Sequence, residues 1–215
     1  MSVESGLSTF RDSGGLWEQY DVSKVASIEG WYEDPQQVLD FYNMRRSELK
    51  THNPNRGHLL LKELEKSFNV FIITQNVDNF HERAGSSNII HLHGELSKIK
   101  SEKDDSLVYE TLEGIHLGDL AEDGAQLRPD IVWFGEAVPK MEEAVEIAQT
   151  ADIFLIIGTS MQVYPAASLI DYVPRRAEIF VIDPKPIETP LRQGITFIRK
   201  SASEGLEEFI SKVLK

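Results

Sequence analysis

The 215-residue chain contains no cysteine. This absence excludes disulfide bonds, thiolate nucleophiles and every zinc site that uses thiolate ligands. Basic side chains are also scarce, because 22 Lys and Arg stand against 35 Asp and Glu and give a formal net charge of −13. Such a surface repels the phosphates of nucleic acids and the headgroups of anionic membranes. We therefore expect neither nucleic acid nor a membrane as a partner.

Long apolar runs are absent too. No stretch reaches the roughly 18 residues that a membrane-spanning helix requires, and Met1–Gly6 has neither the basic nor the apolar region of a signal peptide. With 41% hydrophobic residues, the chain can still bury a sizeable core. These features favour a globular protein of the cytoplasm.

Short apolar runs alternate with helical patterns along the whole chain. Runs typical of strands occupy residues 71–74, 89–93, 131–134, 153–157, 178–182 and 196–198. Helix starts are indicated by Asp34, with Gln37 three residues later, and by Ser201 with Glu204. The unbroken run 153–157 is typical of a central parallel strand that is covered on both faces. The alternation predicts an α/β fold with a doubly wound parallel sheet.

Polar side chains follow two of the predicted strands. Gln75, Asn76 and Asp78 end the first run, and His93 ends the second. Because open α/β sheets bind ligands outside the carboxyl ends of their strands, these side chains should meet in one cleft. His93 is a candidate general base, since imidazole titrates near neutral pH, but His91 fits the same pattern. Asn and Asp after a strand also form ordinary turns.

Glycine and hydroxyl residues follow the run 153–157. A strand, then a turn made of Gly158, Thr159 and Ser160, then a helix is a geometry that offers backbone N–H groups to a phosphate. Asp183 ends the next strand, where an acidic residue of a dinucleotide fold accepts from ribose hydroxyls. Each feature alone is equally typical of an ordinary turn or cap. The sequence thus indicates a nucleotide-binding α/β enzyme and leaves its reaction open.

Six motifs stand in the order found in sirtuins. They are Glu4-Ser-Gly-Leu-Ser-Thr-Phe-Arg11, Thr74-Gln-Asn-Val-Asp78, His81-Glu-Arg-Ala-Gly85, His91-Leu-His-Gly94, Arg128-Pro-Asp-Ile-Val-Trp-Phe-Gly-Glu136, and Gly158-Thr-Ser160 with Val163-Tyr-Pro165. The chain resembles this family along nearly its whole length, and is most similar to the bacterial NAD-dependent deacylases allied to desuccinylases. The resemblance implies an enzyme that consumes NAD to remove an acyl group from lysine in proteins or peptides. Its products would be nicotinamide and O-acyl-ADP-ribose.

The resemblance also implies roles for single residues. It makes His93 the base that deprotonates a ribose hydroxyl. It implies contacts of NAD with Phe10, Arg11, Gln75, Asn76, Asp78, Gly158, Thr159, Ser160 and Asp183. It implies that the substrate peptide is clamped as an added strand by Gly135, Glu136, Val163 and Tyr164. A monomeric enzyme is expected.

Tyr42 and Arg45 carry a finer expectation about the acyl group. The two residues are three apart and share a helix face. On spacing alone, the ordinary interpretation is a packed Tyr42 beside a solvated Arg45. In the desuccinylase-like branch a Tyr-x-x-Arg pair faces the acyl-lysine channel, and a small residue stands where this chain has Ala26. A guanidinium can bind a carboxylate through two hydrogen bonds. The resemblance therefore implies succinyl, malonyl or glutaryl groups as substrates beside acetyl.

The resemblance divides the chain into two domains. Residues 1–31, 70–95 and 128–215 form a Rossmann-like NAD-binding domain, and two insertions, 32–69 and 96–127, form a small helical domain. The small domain lacks the two Cys-x-x-Cys pairs that hold zinc in the family, so we expect no zinc. The family's first strand, with its Gly-Ala-Gly phosphate loop, is also missing. We therefore expect Met1 to be an internal residue of a longer chain.

Two other functions fit the same cleft. A non-catalytic binding module for NAD or ADP-ribose would fit a chain that lacks its phosphate loop, and a mono-ADP-ribosyltransferase labels a protein in place of removing its acyl group. Nicotinamide release separates the three functions. A binding module releases none, and only a deacylase releases it in step with an acyl-lysine peptide.

Overall fold

The computed structural model describes residues 1–8, 16–159, 161–186 and 194–214. The helices are α1 Leu16–Gln19, α2 Val22–Val25, α3 Ile28–Glu33, α4 Pro35–Thr51, α5 Arg56–Leu64, α6 Phe80–Arg83, α7 Met141–Ala148, α8 Leu169–Tyr172 and α9 Ala202–Val213. The strands are β1 Ile72–Thr74, β2 Ile89–His91, β3 Gly94–Ser101, β4 Val108–Glu110, β5 Leu127–Ile131, β6 Ile153–Ile157, β7 Glu178–Ile182 and β8 Ile195–Ile198. Short 3₁₀ helices cover Ser2–Ser5 and Ala166–Ser168. In these ranges no helix has the length and apolar character needed to cross a membrane.

Two parallel sheets form the centre of the fold. β1 pairs with β2, and β6, β7 and β8 lie side by side in that order. Parallel strands linked through helices confirm the predicted α/β class. The expectation that 153–157 is covered on both faces is wrong, because only Ile156 of β6 is buried. One edge of β6 bonds to β7, and its residues line a cleft between the two sheets.

A third sheet is antiparallel, and the sequence pattern does not indicate it. β3 lies between β4 and β5. The predicted small helical domain therefore holds β4 and most of β3, while β5 falls almost wholly in the predicted NAD-binding domain. The buried residues of β3 are Leu96, Ile99 and Ser101, and they do not alternate because the pairing with β5 shifts between Gly94 and Ile99. A strand with such an irregularity lacks the strict period of two by which strands are recognised.

Hydrogen bonds from α4 hold the small domain together. The buried guanidinium of Arg46 donates from Nε to the Leu96 carbonyl oxygen at 2.9 Å. Asn43 donates from Nδ2 to the Ile115 carbonyl at 2.8 Å and accepts from the Ile115 N–H at 3.0 Å. Tyr109 packs against the apolar core that α4 shares with β3 and β5. These contacts join the two insertions without a thiolate ligand.

Local signals set two of the helix starts. Asp34 accepts from the Gln37 N–H at 3.0 Å and caps α4. Ser201 accepts from the Glu204 N–H at 3.4 Å and caps α9. Both predicted starts are confirmed, because a cap depends on residues only three apart in the chain.

α5 belongs to the core of the parallel sheet. Leu61 of α5 lies in one apolar cluster with Ile182 of β7 and Phe209 of α9. The predicted small domain includes residues 32–69, whereas α5 packs on α9 and on the sheet. The domain boundaries stay a prediction.

Gly94 begins β3 directly after His93. Its φ is +77°, a value that side chains rarely adopt, and a Cβ at this residue would lie 1.9 Å from the carbonyl oxygen of Asp130. The close approach arises where β3 pairs with β5. Gly124 has the same φ of +77°, but no atom of the described residues lies within 4 Å of a Cβ there.

Gly94→Ala should lower the free energy of unfolding by roughly 2 to 4 kcal/mol more than Gly124→Ala does. Both substitutions add similar backbone strain, because the two residues share one φ value. Only Gly94→Ala also drives β3 away from the Asp130 carbonyl. Urea unfolding followed by circular dichroism measures both free energies. Equal losses in the two variants would contradict the steric explanation.

His58 is a buried titratable group on α5. Its Nδ1 accepts from the Asn55 N–H at 3.2 Å and completes the cap of this helix. Its ring stands edge-on to Phe80 and His81, with ring centroids 5.5 and 4.8 Å away. Burial, with a smaller contribution from the charge of His81, lowers the pKa of His58 from 6.5 to about 3. The folded chain therefore keeps His58 neutral where the unfolded chain binds a proton.

Stability should fall as the pH drops from 6.5 towards about 3. Each pH unit in that window costs up to about 1.4 kcal/mol, because only the unfolded chain takes up the proton at His58. His58→Gln keeps a capping acceptor and cannot titrate. Its loss of unfolding free energy from about pH 7.5 to about pH 5 should be smaller by roughly 1 kcal/mol or more. His116→Gln, which removes an exposed histidine, is the matched control in chemical denaturation and should keep the wild-type loss.

Candidate active site

A cleft of about 1450 Å³ lies between the two parallel sheets. Every predicted site residue in the described part of the chain lines it. These residues are Ala26, Tyr42, Arg45, Gln75, Asn76, Asp78, His93, Gly135, Glu136, Gly158, Thr159, Val163, Tyr164 and Asp183. The predictions for Phe10, Arg11 and Ser160 fall outside the described residues. Convergence on one cleft is thus observed, while the role of each residue stays a prediction.

The loop after β1 is held by its own side chains. Thr74 Oγ1 accepts from the Asn76 N–H at 3.0 Å, and Asp78 Oδ1 accepts from the Phe80 N–H at 3.2 Å. Asp78 is only 4% exposed and also lines the cleft. It therefore forms a turn, as one interpretation of the sequence allowed, and still borders the cleft.

Amide side chains of the same loop reach neighbouring segments. Asn76 donates from Nδ2 to the Ser2 hydroxyl at 2.9 Å. Gln75 donates from Nε2 to Thr159 Oγ1 at 3.4 Å and so links the loop after β1 to the turn after β6. An amide offers both donors and an acceptor, which suits a ligand that carries its own amide or hydroxyl groups.

His91 and His93 hold this loop from a second segment. His91 donates from Nδ1 to the Asn76 carbonyl oxygen, and His93 donates from Nδ1 to the Gln75 carbonyl oxygen, each at 3.2 Å. A carbonyl oxygen can only accept, so the proton of each neutral ring is assigned to Nδ1. Nε2 is then the nitrogen that carries the lone pair.

The surroundings of Nε2 distinguish the two histidines. In His91 it lies 2.8 Å from Glu82 Oε1 and 4.0 Å from Glu95 Oε2. Burial opposes a charge on His91, but the hydrogen bond to Glu82 and the charges of both glutamates outweigh burial and raise its pKa. Burial lowers the pKa of His93, and the Gln75 carbonyl opposes that shift only in part. His93 thus keeps a neutral, proton-accepting Nε2, which favours it as the general base.

The turn after β6 requires a glycine. Gly158 has φ +59°, and its N–H donates to the Ile182 carbonyl oxygen at 3.0 Å. The backbone nitrogen of Met1 lies 3.0 Å from the place that a Cβ at Gly158 would occupy. Thr159 Oγ1 accepts from the Met161 N–H at 3.3 Å. A small residue here lets main chain approach closely, as a phosphate site needs.

Asp183 follows β7 and borders the cleft. Its Oδ1 accepts from the Lys185 N–H at 2.8 Å, so the carboxylate shapes a turn. The turn-forming interpretation of the sequence is therefore observed at Asp183. Its contact with a ribose hydroxyl stays a prediction.

The carboxylate of Glu136 forms hydrogen bonds to other residues of the protein. Its two carboxylate oxygens accept from Arg128 at 2.7 and 3.0 Å, and one of them also accepts from the Trp133 N–H at 2.8 Å. The guanidinium of Arg128 lies 3.6 Å from the ring centroid of Trp133. Glu136 therefore fixes the loop around Gly135, and a peptide clamp here has to use main-chain groups. Arg128 and Glu136 are the first and last residues of one sequence motif, but their spacing in it does not show that the two side chains bind each other.

Main-chain contacts also position the predicted substrate residues. The Phe134 N–H donates to the Ala26 carbonyl oxygen at 2.9 Å, and the Ile28 N–H donates to the Phe134 carbonyl at 3.2 Å. Ala26 is 6% exposed, so this wall of the cleft is already closely packed. Tyr164 reaches the same cleft with a largely exposed ring.

Tyr42 and Arg45 are buried in the wall of the cleft. The Tyr42 hydroxyl accepts from Trp133 Nε1 at 3.0 Å. Burial raises the pKa of Tyr42, so the phenol keeps a proton that it can donate. Arg45 donates from Nη1 to the carboxylate of Glu48 and to the Ser8 carbonyl oxygen at 3.4 Å. The interpretation of Arg45 as a solvated arginine is wrong, because Glu48, which the sequence analysis missed, binds it in the interior.

Most of the chain is similar to known proteins. A profile of the Sir2 family matches residues 1–165. An NAD-dependent protein deacylase of Bacteroides thetaiotaomicron is 59% identical over 215 residues, covering 97% of this chain and 92% of the relative. An NAD-dependent protein deacylase of Helicobacter pylori is 53% identical over 215 residues, covering 100% and 94%.

Solved structures share the fold. A mutant Sir2 homologue in complex with ADP-ribose has a TM-score of 0.89 at 36% identity, covering 99% of this chain and 88% of that chain. A Sir2 homologue in complex with NAD has a TM-score of 0.86 at 36% identity, covering 99% and 85%. A Sir2 variant with a deacetylated p53 peptide and 3′-O-acetyl ADP-ribose has a TM-score of 0.83 at 27% identity, covering 99% and 89%.

Proposed function

The chain belongs to the Sir2 family and is an NAD-dependent protein deacylase, and we propose that His93 is its base and that it accepts acyl groups ending in a carboxylate. The observation that carries the proposal is the hydrogen bond from His93 Nδ1 to the Gln75 carbonyl at 3.2 Å. It fixes the ring in the tautomer that a base at the cleft needs.

The residues of the cleft fit NAD. The cleft is larger than the roughly 300 to 1000 Å³ of a site for one small ligand, which suits a dinucleotide beside an acyl-lysine side chain. Gln75, Asn76 and Asp78 supply the amide and carboxylate groups that nicotinamide and its ribose require. Gly158 and Thr159 offer close main chain and a hydroxyl to the phosphates. Bound NAD supplies the glycosidic bond whose cleavage drives removal of the acyl group.

The protein's own contribution to the chemical step is proton transfer and orientation. His93 accepts the proton of a ribose hydroxyl at Nε2, while its Nδ1–H stays on the Gln75 carbonyl. The loop after β1 holds Asn76 and Asp78 through Ser2 and the Phe80 N–H. Reacting groups that are fixed in this way lose little entropy in the transition state.

His93→Ala should lower peptide-dependent nicotinamide release by about 10² to 10⁴-fold, the usual contribution of a general base. The affinity for NAD, measured by calorimetry, should change little, because a base acts in the chemical step. His91→Ala is the matched variant and should lose far less, since Glu82 already holds its Nε2. Equal losses in the two variants would overturn the assignment of His93, and nicotinamide release that ignores the acyl-lysine peptide would contradict the deacylase itself.

The acyl preference rests on Tyr42 and Arg45. Both line the cleft and are buried, so a carboxylate that reaches them leaves water and gains strongly from a guanidinium and a phenol. Ala26 lines the same cleft, and its small side chain takes up little of it. We infer from this chemistry that succinyl, malonyl or glutaryl lysine is accepted beside acetyl-lysine.

Arg45→Met should lower kcat/KM on a succinyl-lysine peptide by roughly 30-fold or more, because truncating one member of a buried charge pair costs about 2 to 5 kcal/mol. Removal of acetyl from the same peptide should change much less, since an acetyl group has no carboxylate. Lys50→Met, which removes an exposed cation of the same helix, should leave both values unchanged. Equal losses on both peptides would mean that Arg45 supports the fold alone.

The peptide is expected to bind through main-chain groups at Gly135, Glu136, Val163 and Tyr164. Pairing with a backbone reads little sequence, so many acyl-lysine peptides would be accepted. The net charge of −13 repels the phosphates of nucleic acid, so we do not propose nucleic acid as a partner. We propose a monomer that works in the cytoplasm.

A further inference from the structure

Glu48 lies three residues after Arg45 on α4 and has no place in the Tyr-x-x-Arg pattern. One of its carboxylate oxygens accepts from Arg45 Nη1, and the two side chains are 20% and 4% exposed. The other oxygen accepts from the backbone N–H and the hydroxyl of Ser8, each at 2.8 Å. Both oxygens of a partly buried carboxylate are therefore engaged, one of them by the guanidinium that is proposed to bind the acyl group.

Glu48 remains ionised in this setting. Burial favours the neutral acid, but the two Ser8 hydrogen bonds and the charge of Arg45 outweigh it and hold the pKa of Glu48 below its ordinary value. Asp78 also interacts electrostatically with Arg45. The positive charge of Arg45 is thus already balanced by protein carboxylates before a substrate arrives.

We propose that Glu48 determines acyl specificity, because its carboxylate competes with the carboxylate of an acidic acyl group for Arg45. This inference rests on the proposed role of Arg45. An acetyl group makes no demand on the guanidinium, so Glu48 leaves deacetylation unaffected by this competition. Glu48 therefore shifts the balance of activities from acidic acyl groups towards acetyl.

The geometry dictates the substitution that tests this competition. Glu48 and Arg45 together hold the main chain at Ser8. Glu48 accepts from the Ser8 N–H, and Arg45 donates to the Ser8 carbonyl oxygen. Removing the side chain of Glu48 would disturb both substrates alike through that segment. Glu48→Gln removes the charge and keeps an oxygen that can accept from Ser8.

The measurement is the ratio of kcat/KM for a succinyl-lysine peptide to kcat/KM for the same peptide with acetyl-lysine, at saturating NAD. Glu48→Gln should raise this ratio about tenfold, the usual worth of a hydrogen bond to a charged group. A ratio does not depend on the fraction of folded enzyme. Asp40→Asn is the matched control, because it removes one exposed negative charge from the same helix, and it should leave the ratio unchanged.

The Arg45→Met background separates this inference from the proposal beneath it. If Arg45→Met lowers only the succinyl activity while Glu48→Gln leaves the ratio unchanged, the competition is overturned and the role of Arg45 stands. If Arg45→Met lowers both activities equally, the role of Arg45 fails and the competition fails with it. If Glu48→Gln raises the ratio as strongly in Arg45→Met as in wild type, the charge acts at a distance and not through Arg45. A rise that requires Arg45 supports the inference.

Discussion

The proposed active site depends on the Gln75 carbonyl oxygen, and the neighbouring Asn76 carbonyl oxygen makes a second hydrogen bond of the same kind. Each accepts the Nδ1–H of a histidine, at 3.2 Å in both cases. The segment that carries His91 and His93 runs beside β1, and the Leu92 N–H donates to the Thr74 carbonyl at 3.0 Å. Alternate residues of an extended segment point the same way, so two rings can reach neighbouring carbonyls. The bond to Gln75 therefore sets the tautomer of His93, and both hydrogen bonds help to hold the loop after β1.

This arrangement would also let His93, as the proposed base, change its charge without moving. When His93 takes a proton at Nε2, its Nδ1–H stays on the Gln75 carbonyl, and a charged donor strengthens that bond. His91 makes the same kind of backbone hydrogen bond, but Glu82 and Glu95 stabilise its charged form. One ring remains available for proton transfer while the other braces the loop. The pKa values of the two rings differ because of the carboxylates beside His91, since both rings donate to a backbone carbonyl oxygen.

The sequence predicted what depends on neighbouring residues and on strand ends. The caps at Asp34 and Ser201 need partners only three residues away, and polar residues after parallel strands meet because the topology brings their ends together. The antiparallel sheet was missed because an irregular β3 breaks the period of two. The partnership of Arg45 with Glu48 and Ser8 was missed for a different reason. Ser8 lies 40 residues from Glu48 in sequence, and no local rule links these two. Arg45 and Glu48 do have the spacing of a helical ion pair, but spacing alone does not show that the pair is buried.

The net charge of the protein also bears on its proposed preference among acyl groups. With a net charge of −13, the protein as a whole repels an anionic acyl group. Salt screens charges beyond about 8 Å at physiological ionic strength, so this repulsion acts mainly on the approach of a substrate. Under the proposed role of Arg45, discrimination comes from its buried guanidinium, where screening is weak. Because Glu48 binds that guanidinium, the proposed competition makes a single carboxylate beside Arg45 the group that sets how much positive charge a substrate meets.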